Sequence, residues 1–402
     1  MRLIIVDYVG NPGGGVRFTA EMVAAFAARR ELQLELVSHG EALERYRAIL
    51  PPDRVAFRDL PHRNHWTKAP NWPRWPMRRF GKLTRRGSAF HFDVPAEAFA
   101  GADLVWLPWI HTHRVPNRLS ARVVGSLHDL ILLEFKDHVH PRLWRAEEKT
   151  VRRWLRSRAR IVVSSRATVA ALGRLFGAAP ERTAVVPLSG MHRSRPAERA
   201  PADAPFLGAP YLLCPANTHI HKNHEVLLDG VGAWAGPHPL VLTGHGTGLA
   251  SERGREARLR ERAAARGLVP GRNLFGMGYR SDPEYFHLLR HAWALVMPTR
   301  AEGGGSFPVL EALLAGVPVI CSDIPVMREM LGWTGGEVQW FHPDRPEELA
   351  ERLRELEAGY PRFRRRAEEQ VASLHQRTWD DVTADYARIL GLPGAPAPRP
   401  VR

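Results

Sequence analysis

Cysteine is almost missing from this chain: two in 402 residues, Cys214 and Cys321. Each sits in an apolar, strand-like run. That excludes a disulfide-stapled scaffold and a cysteine-built zinc site, and predicts buried thiols in a reducing compartment, hence a cytoplasmic protein. Long apolar runs are missing too: nothing approaches the roughly 18 apolar residues of a membrane-crossing helix. The opening run MRLIIVDYV is too short for a signal peptide and contains Asp7, so it reads as a first strand. No Asp-x-Asp sequence occurs, so no carboxylate clamp for a metal is evident, and no cofactor is expected. Internal repeats are absent. Acid is missing from residues 62–86, where eight Lys or Arg are interleaved with Trp66, Trp72 and Trp75.

What is present is an ordinary globular composition, 44% hydrophobic, with a formal net charge of +15. The length suits two or three domains. The charge favours anionic partners: nucleotide phosphates, nucleic acid or an acidic membrane surface. The basic tryptophan segment 62–86 reads as an acceptor-side loop or one facing anionic lipid, or else as a solvated loop packed on its domain. A nucleic-acid patch is a third reading, but nucleic acid is not an expected partner.

The chain is organised around residues 298–330, PTRAEGGGSFPVLEALLAGVPVICSDIPVMREM. The apolar run 294–297 before it predicts a buried parallel strand. A glycine turn follows, Glu302-Gly303-Gly304-Gly305-Ser306, with Phe307 after it, then a short helix with Pro308 near its start, ended by Gly316 and Pro318. A loop between strand and helix lies at the carboxyl end of the sheet, where open α/β folds bind ligands. Its N–H groups suit a phosphate. Glu302 and Glu311 suit hydroxyls, because a carboxylate accepts two hydrogen bonds from a vicinal diol. A nucleotide-sugar carries both groups. Near the amino end, Gly13, Gly14 and Gly15 follow the first strand in a similar phosphate-approach turn, with Arg17 as a further contact and a helix expected from Phe18 to Ala28.

The 298–330 stretch resembles the Glu-x7-Glu signature of retaining GT-B glycosyltransferases of the family 4 type. It departs in one place: eight residues, not seven, separate Glu302 from Glu311. Further segments resemble the same family. Residues 127–135 are similar to the segment in which a His-Asp pair ends a strand. This implies that His128 lies beside the transferred sugar, with Asp129 either fixing its tautomer or capping the next turn; His111 and His113 are lesser candidates. The loop 217–223 resembles the family's phosphate-binding loop and implies Lys222 as the cation for the diphosphate. Asn217, His219 and His221 stand where many members place an Arg before that Lys, with His221 a substitute if protonated. Residues 274–279 resemble the segment that meets the nucleobase and bring in Tyr279.

The resemblance implies two Rossmann-like domains facing an interdomain cleft. Expected boundaries are residues 1–190, a linker 191–210, residues 211–375, a helix 376–392 returning to the first domain, and a disordered tail 393–402. It implies transfer of a hexose, mannose being one candidate, from a nucleotide-diphosphate sugar to a glycan or lipid-linked acceptor. The configuration would be retained, the place of work being the inner face of the cell membrane. A sugar-nucleotide epimerase or hydrolase on the same fold is the alternative.

Overall fold

The computed structural model describes residues 1–9, 14–62, 91–114, 122–177, 179, 181–190, 198–249, 251 and 253–392. Gly13, the basic segment beyond His62 and the 393–402 tail lie outside them. The chain divides into two units, Met1–Ser189 with Arg377–Val401, and Gly190–Gln376.

Unit 1 runs β1 (Arg2–Val6), α1 (Gly14–Ala27), β2 (Gln33–Ser38), α2 (Gly40–Ile49), β3 (Val55–Asp59), β4 (Phe92–Asp93), β5 (Leu104–Leu107), β6 (His113–Arg114), β7 (Arg122–Leu127), α3 (Ile131–Glu134), α4 (Pro141–Arg156), β8 (Arg160–Val163), α5 (Arg166–Phe176) and β9 (Thr183–Val185). Seven strands form one parallel sheet in the order β3-β2-β1-β5-β7-β8-β9. Strands covered on both faces are apolar throughout, which is why RLIIV, LVWL and RIVV show no alternation. Helix α1 begins at Gly14, four residues before the expected start. Gly14 and Gly15 are therefore its first turn, not a free glycine loop: packing overrides their poor helix propensity.

Unit 2 runs β10 (Leu212–Pro215), α6 (His224–Trp234), β11 (Leu240–Thr243), α7 (Gly254–Ala265), β12 (Leu274–Gly276), α8 (Asp282–His291), β13 (Ala294–Met297), α9 (Phe307–Leu314), β14 (Val319–Ser322), α10 (Pro325–Thr334), β15 (Gln339–Phe341), α11 (Pro346–Ala358) and α12 (Tyr360–Gln370). Its six strands are parallel, in the order β12-β11-β10-β13-β14-β15. The order reverses between β10 and β13, so the loops leaving those two strands diverge around a crevice. The residues from 198 to 210, expected as linker, belong to this unit: Phe206 is buried and packs on Tyr211 and Phe275. Both cysteines are buried, unpaired thiols in β10 and β14.

Helix α13 (Trp379–Leu390) belongs to unit 1 and packs on α1 and β7. Thr378 and Asp381 form a capping box at its start. Trp379 and Tyr386 are buried, each contributing roughly 1.5–3 kcal/mol of apolar burial. The Tyr386 hydroxyl meets Ser126 Oγ at 2.7 Å, and Ser126 Oγ also accepts from Trp106 Nε1. Among the described residues no helix is long and apolar enough to cross a membrane.

Candidate functional site

In unit 2 the site is built from the loops after β10 and β13. The first leaves the sheet at Ala216, makes a tight turn over Ile220–Lys222, and enters α6 through Asn223. Asn223 adopts φ 57°, a left-handed conformation that asparagine tolerates better than most residues. Its buried side chain donates to the carbonyls of Pro298 at 2.9 Å and Pro343 at 2.6 Å. The backbone N–H of Arg300 donates to the His221 carbonyl at 2.7 Å, and Thr299 Oγ1 reaches the same oxygen. These bonds sew the two loops together.

That stitching brings Lys222 to Glu302. Nζ donates to Oε1 at 2.6 Å, with side chains 17% and 10% exposed. The chain thus joins its expected phosphate cation and its expected sugar acid as one ion pair, although 80 residues separate them. Glu311, in the second turn of α9, is buried and accepts from the Tyr285 hydroxyl at 2.5 Å. Tyr285 comes from α8, and nothing in the sequence signals that contact.

The glycine loop is shaped by Met330. Gly305 has φ +103°, and a Cβ there would lie 2.3 Å from Met330 Sδ, so only glycine fits. The Ser306 N–H points to the same sulfur at 3.3 Å. This corrects one expectation: Ser306 is buried, with its amide turned inward and not presented to an anion. Gly303 and Gly304 form the bend before it, and Phe307 opens α9.

Two other loops border the β10 loop. Gly244, at φ +123°, brings the turn after β11 against it; a Cβ there would meet the Ala216 carbonyl carbon at 2.8 Å. The Thr218 N–H donates to the His245 carbonyl. Tyr279, half exposed, stacks on the His245 ring at 4.9 Å and 16°. Asn217 Oδ1 accepts from the His219 N–H. Burial pushes His221 down to about 2, with Lys222, His219, Arg255 and His224 adding to it, so this imidazole is neutral and does not stand in for an arginine. The cation that sequence reasoning missed is Arg255 of α7. Burial depresses His219, His221 and His224, the field of this guanidinium adds to that, and its Nη2 lies 3.8 Å from Glu225.

In unit 1 the strand order reverses between β1 and β5. Asp7, just beyond β1, is fully buried and accepts from Thr19 Oγ1, Tyr46 Oη and the Val9 N–H. Desolvation outweighs those bonds and pushes it up to about 6. His113 is buried, accepting from the Tyr8 N–H through Nε2. His128, at the end of β7, has both ring nitrogens engaged: Nε2 with the Pro108 carbonyl at 3.1 Å and Nδ1 with Ser164 Oγ at 2.7 Å. A carbonyl only accepts, so Nε2 carries the proton. Phe18 and Trp109 pack on the ring, and burial pushes its pKa down to about 3. Of the two roles open to Asp129 the structure shows the second: it caps the next turn by accepting from the Ile131 N–H. His128 reaches a sugar hydroxyl only by giving up a bond it already has. His111 is half-buried near Asp129, with desolvation holding its pKa below the ordinary value and the Asp129 charge opposing that.

Residues 12–188 match the family model described as Glycosyltransferase Family 4, and residues 198–373 match that of Glycosyl transferases group 1. O-antigen chain mannosyltransferase B of Escherichia coli is 29% identical over 231 residues, 55% of this chain and 58% of that relative, so little more than half of that relative's length is matched. Among solved structures, Anabaena Alr3699/HepE in complex with UDP and glucose superposes with a TM-score of 0.67 at 17% identity, covering 97% of this chain and 99% of that one. WaaG, a glycosyltransferase involved in lipopolysaccharide biosynthesis, superposes with a TM-score of 0.63 at 15% identity, covering 96% and 99%. At these identities the likeness establishes the GT-B fold.

Proposed function

The chain belongs to the GT-B glycosyltransferases, and we propose that it moves a hexose from a nucleotide-diphosphate sugar to a hydroxyl of a glycan or lipid-linked acceptor in cell-surface polysaccharide synthesis. The observation that carries this reading is the Lys222–Glu302 pair at the strand-order reversal of unit 2, held by loops that also lead to Glu311. A diphosphate needs a cation and a sugar needs hydroxyl acceptors, and the pair supplies both from one point. The mannosyltransferase relative supports mannose as the first sugar to test.

In this reading Glu311, held by Tyr285, accepts from the ribose diol. Lys222 turns from Glu302 to the diphosphate and stabilises the charge that develops on it. Glu302 then accepts from sugar hydroxyls. The bond between the anomeric carbon and the diphosphate oxygen breaks, and its electron pair leaves with the diphosphate. The acceptor oxygen bonds to the anomeric carbon on the same face, and its proton passes to a leaving phosphate oxygen. The configuration is then retained. Asn217, Gly303, Gly304 and Tyr279 are proposed to line the donor site, without a metal.

The test is a thermal-shift screen of UDP, GDP and ADP and their hexoses, followed by turnover of each stabilising donor with and without glycan acceptors. Stabilisation by none of them overturns the reading. Free sugar or epimer formed as fast without acceptor as with it turns the assignment to a hydrolase or epimerase. We extend the proposal to the membrane's inner face, with the segment 62–86 meeting anionic lipid. Loss of co-sedimentation with anionic vesicles on neutralising Arg78, Arg79, Arg85 and Arg86 is expected; unchanged sedimentation discards the lipid contact.

A further inference from the structure

Helix α8 carries His287 and His291 one turn apart, on one face of the helix. Their rings stack at 4.2 Å, 30° from parallel. Glu198, from the segment that enters unit 2, reaches the same face. Among the described residues, one ligand atom from each of Glu198, His287 and His291 lies within 4.8 Å of the other two. We propose that these three residues form a site for a divalent cation of the zinc class.

The chemistry of the donors fits. Two imidazole nitrogens and a carboxylate oxygen are a familiar zinc donor set, with a water completing a tetrahedron. Closing to zinc bond lengths of about 2.0–2.2 Å takes side-chain rotation of two exposed groups and one half-buried one. The tautomer of His291 is already set. Its Nδ1 sits 2.8 Å from the His287 carbonyl, which only accepts, so Nδ1 carries the proton and Nε2 presents its lone pair. Metal-bound histidines are oriented in this manner, through an outer hydrogen bond at the second nitrogen. Arg290 Nη1 donates to Glu198 Oε1 at 2.7 Å. A carboxylate has about four lone-pair positions, so the second oxygen is the ligand while Arg290 keeps the first.

The cation would staple the entering segment to α8, where the Arg199 N–H already donates to the Pro283 carbonyl. Tyr285 lies on the same helix, so the staple restrains the element that holds Glu311. The site is separate from the donor loops and does not depend on the transferase reading.

The test is titration of the full chain, without an affinity tag, by zinc chloride in a calorimeter, with unfolding temperature as a second readout. Losing an outer partner of a metal ligand costs about 10–100-fold in affinity, so losing one ligand costs at least about tenfold. His287→Ala and Glu198→Gln are each expected to weaken one zinc site by that factor. The double variant His287→Ala/His291→Ala loses one zinc equivalent and the zinc-induced rise in unfolding temperature. His138→Ala, at an exposed histidine elsewhere, keeps both. A wild-type chain that binds no zinc, or a double variant that binds the same number of ions with the same affinity, overturns the proposal. Because all three side chains are at least partly exposed, the variants fold.

Discussion

Replacing Lys222 by Met, and separately Glu302 by Gln, distinguishes an ion pair that merely holds two loops from one that works on a ligand. The pair is close, 2.6 Å, and its side chains are 17% and 10% exposed. Breaking a fully buried pair costs about 3–5 kcal/mol, and an exposed pair contributes about 0–1 kcal/mol. Partial exposure puts this pair between them, at roughly 1–3 kcal/mol. Each single variant leaves one charge without its partner, so both lower stability in urea by comparable amounts. The double variant Lys222→Met/Glu302→Gln recovers most of the loss. Nucleoside diphosphate separates them. A hydrogen bond to a charged group contributes roughly 1.5–3 kcal/mol, so Lys222→Met weakens UDP or GDP binding by about 10–100-fold. Glu302→Gln removes the group that competes for the ammonium, so diphosphate affinity is unchanged or higher while turnover of the intact donor falls. Isothermal titration of both variants with both nucleotides decides it. Equal losses of affinity in the two variants would show that the pair acts only through loop structure. Wild-type affinity in Lys222→Met would remove the lysine from the phosphate site.

Tyr285→Phe deletes the 2.5 Å bond to Glu311 and leaves a buried carboxylate short of a donor. A loss of roughly 1–3 kcal/mol in urea unfolding and weaker nucleoside affinity are expected; unchanged titration curves would show that Glu311 does not need the phenol. Gly305→Ala forces a side chain onto φ +103° and against Met330. A destabilisation of about 1–3 kcal/mol is expected, visible as a lower urea midpoint, and an unchanged midpoint would show that the loop relaxes freely. Asp7, raised from 3.8 to about 6, costs folding roughly 3 kcal/mol once ionised. The sign follows from which state loses its proton first. Below about pH 4 both states are protonated and the cost vanishes. As pH rises through about 4 to 6 the unfolded chain ionises first and stability falls; above that window the cost is constant. Asp7→Asn removes this slope, so the stability of the wild type minus that of the variant should drop across that window. Parallel curves would overturn the assignment.

The sequence pointed to Lys222 through a resemblance and to Glu302 and Glu311 through a strand–loop–helix pattern, and the structure joins the first two as an ion pair. The sheets were legible for a similar reason, since LLCP, LVLT, ALVM and VICS are buried on both faces and carry no alternation to mislead. What local pattern does not carry is the partner. Tyr285 meets Glu311 from 26 residues away. The Ser164 and Pro108 groups that occupy His128 directly follow the neighbouring strands β8 and β5, and only the β5-β7-β8 order brings them to its ring. Arg255 follows a helix start that is otherwise ordinary for its charge. The start of α1 was misplaced because glycine propensity argues for a turn there, and that local preference is too weak to decide against burial of the helix.

The formal charge of +15 suggests an open field of cations, but the donor loops show something narrower. Lys222 is paired with Glu302, Arg300 with Asp344 at 2.9 Å, and Arg255 faces Glu225 at 3.8 Å. The histidines between them, 219, 221 and 224, are held toward the neutral form by burial and by Lys222 and Arg255. An anion arriving here does not meet bare charge; it exchanges with a carboxylate already in place. Such an exchange returns less affinity than filling an unpaired cationic pocket, because one charge-assisted bond is lost for each one gained. It returns more discrimination, because a ligand that takes the ammonium but offers no hydroxyl to the released carboxylate leaves that carboxylate unsatisfied at a cost of roughly 1–3 kcal/mol or more. On the proposed reading a nucleotide-sugar would satisfy both ends of the exchanged pair. Inorganic phosphate satisfies one, and should compete with the donor far more weakly than its charge alone would suggest.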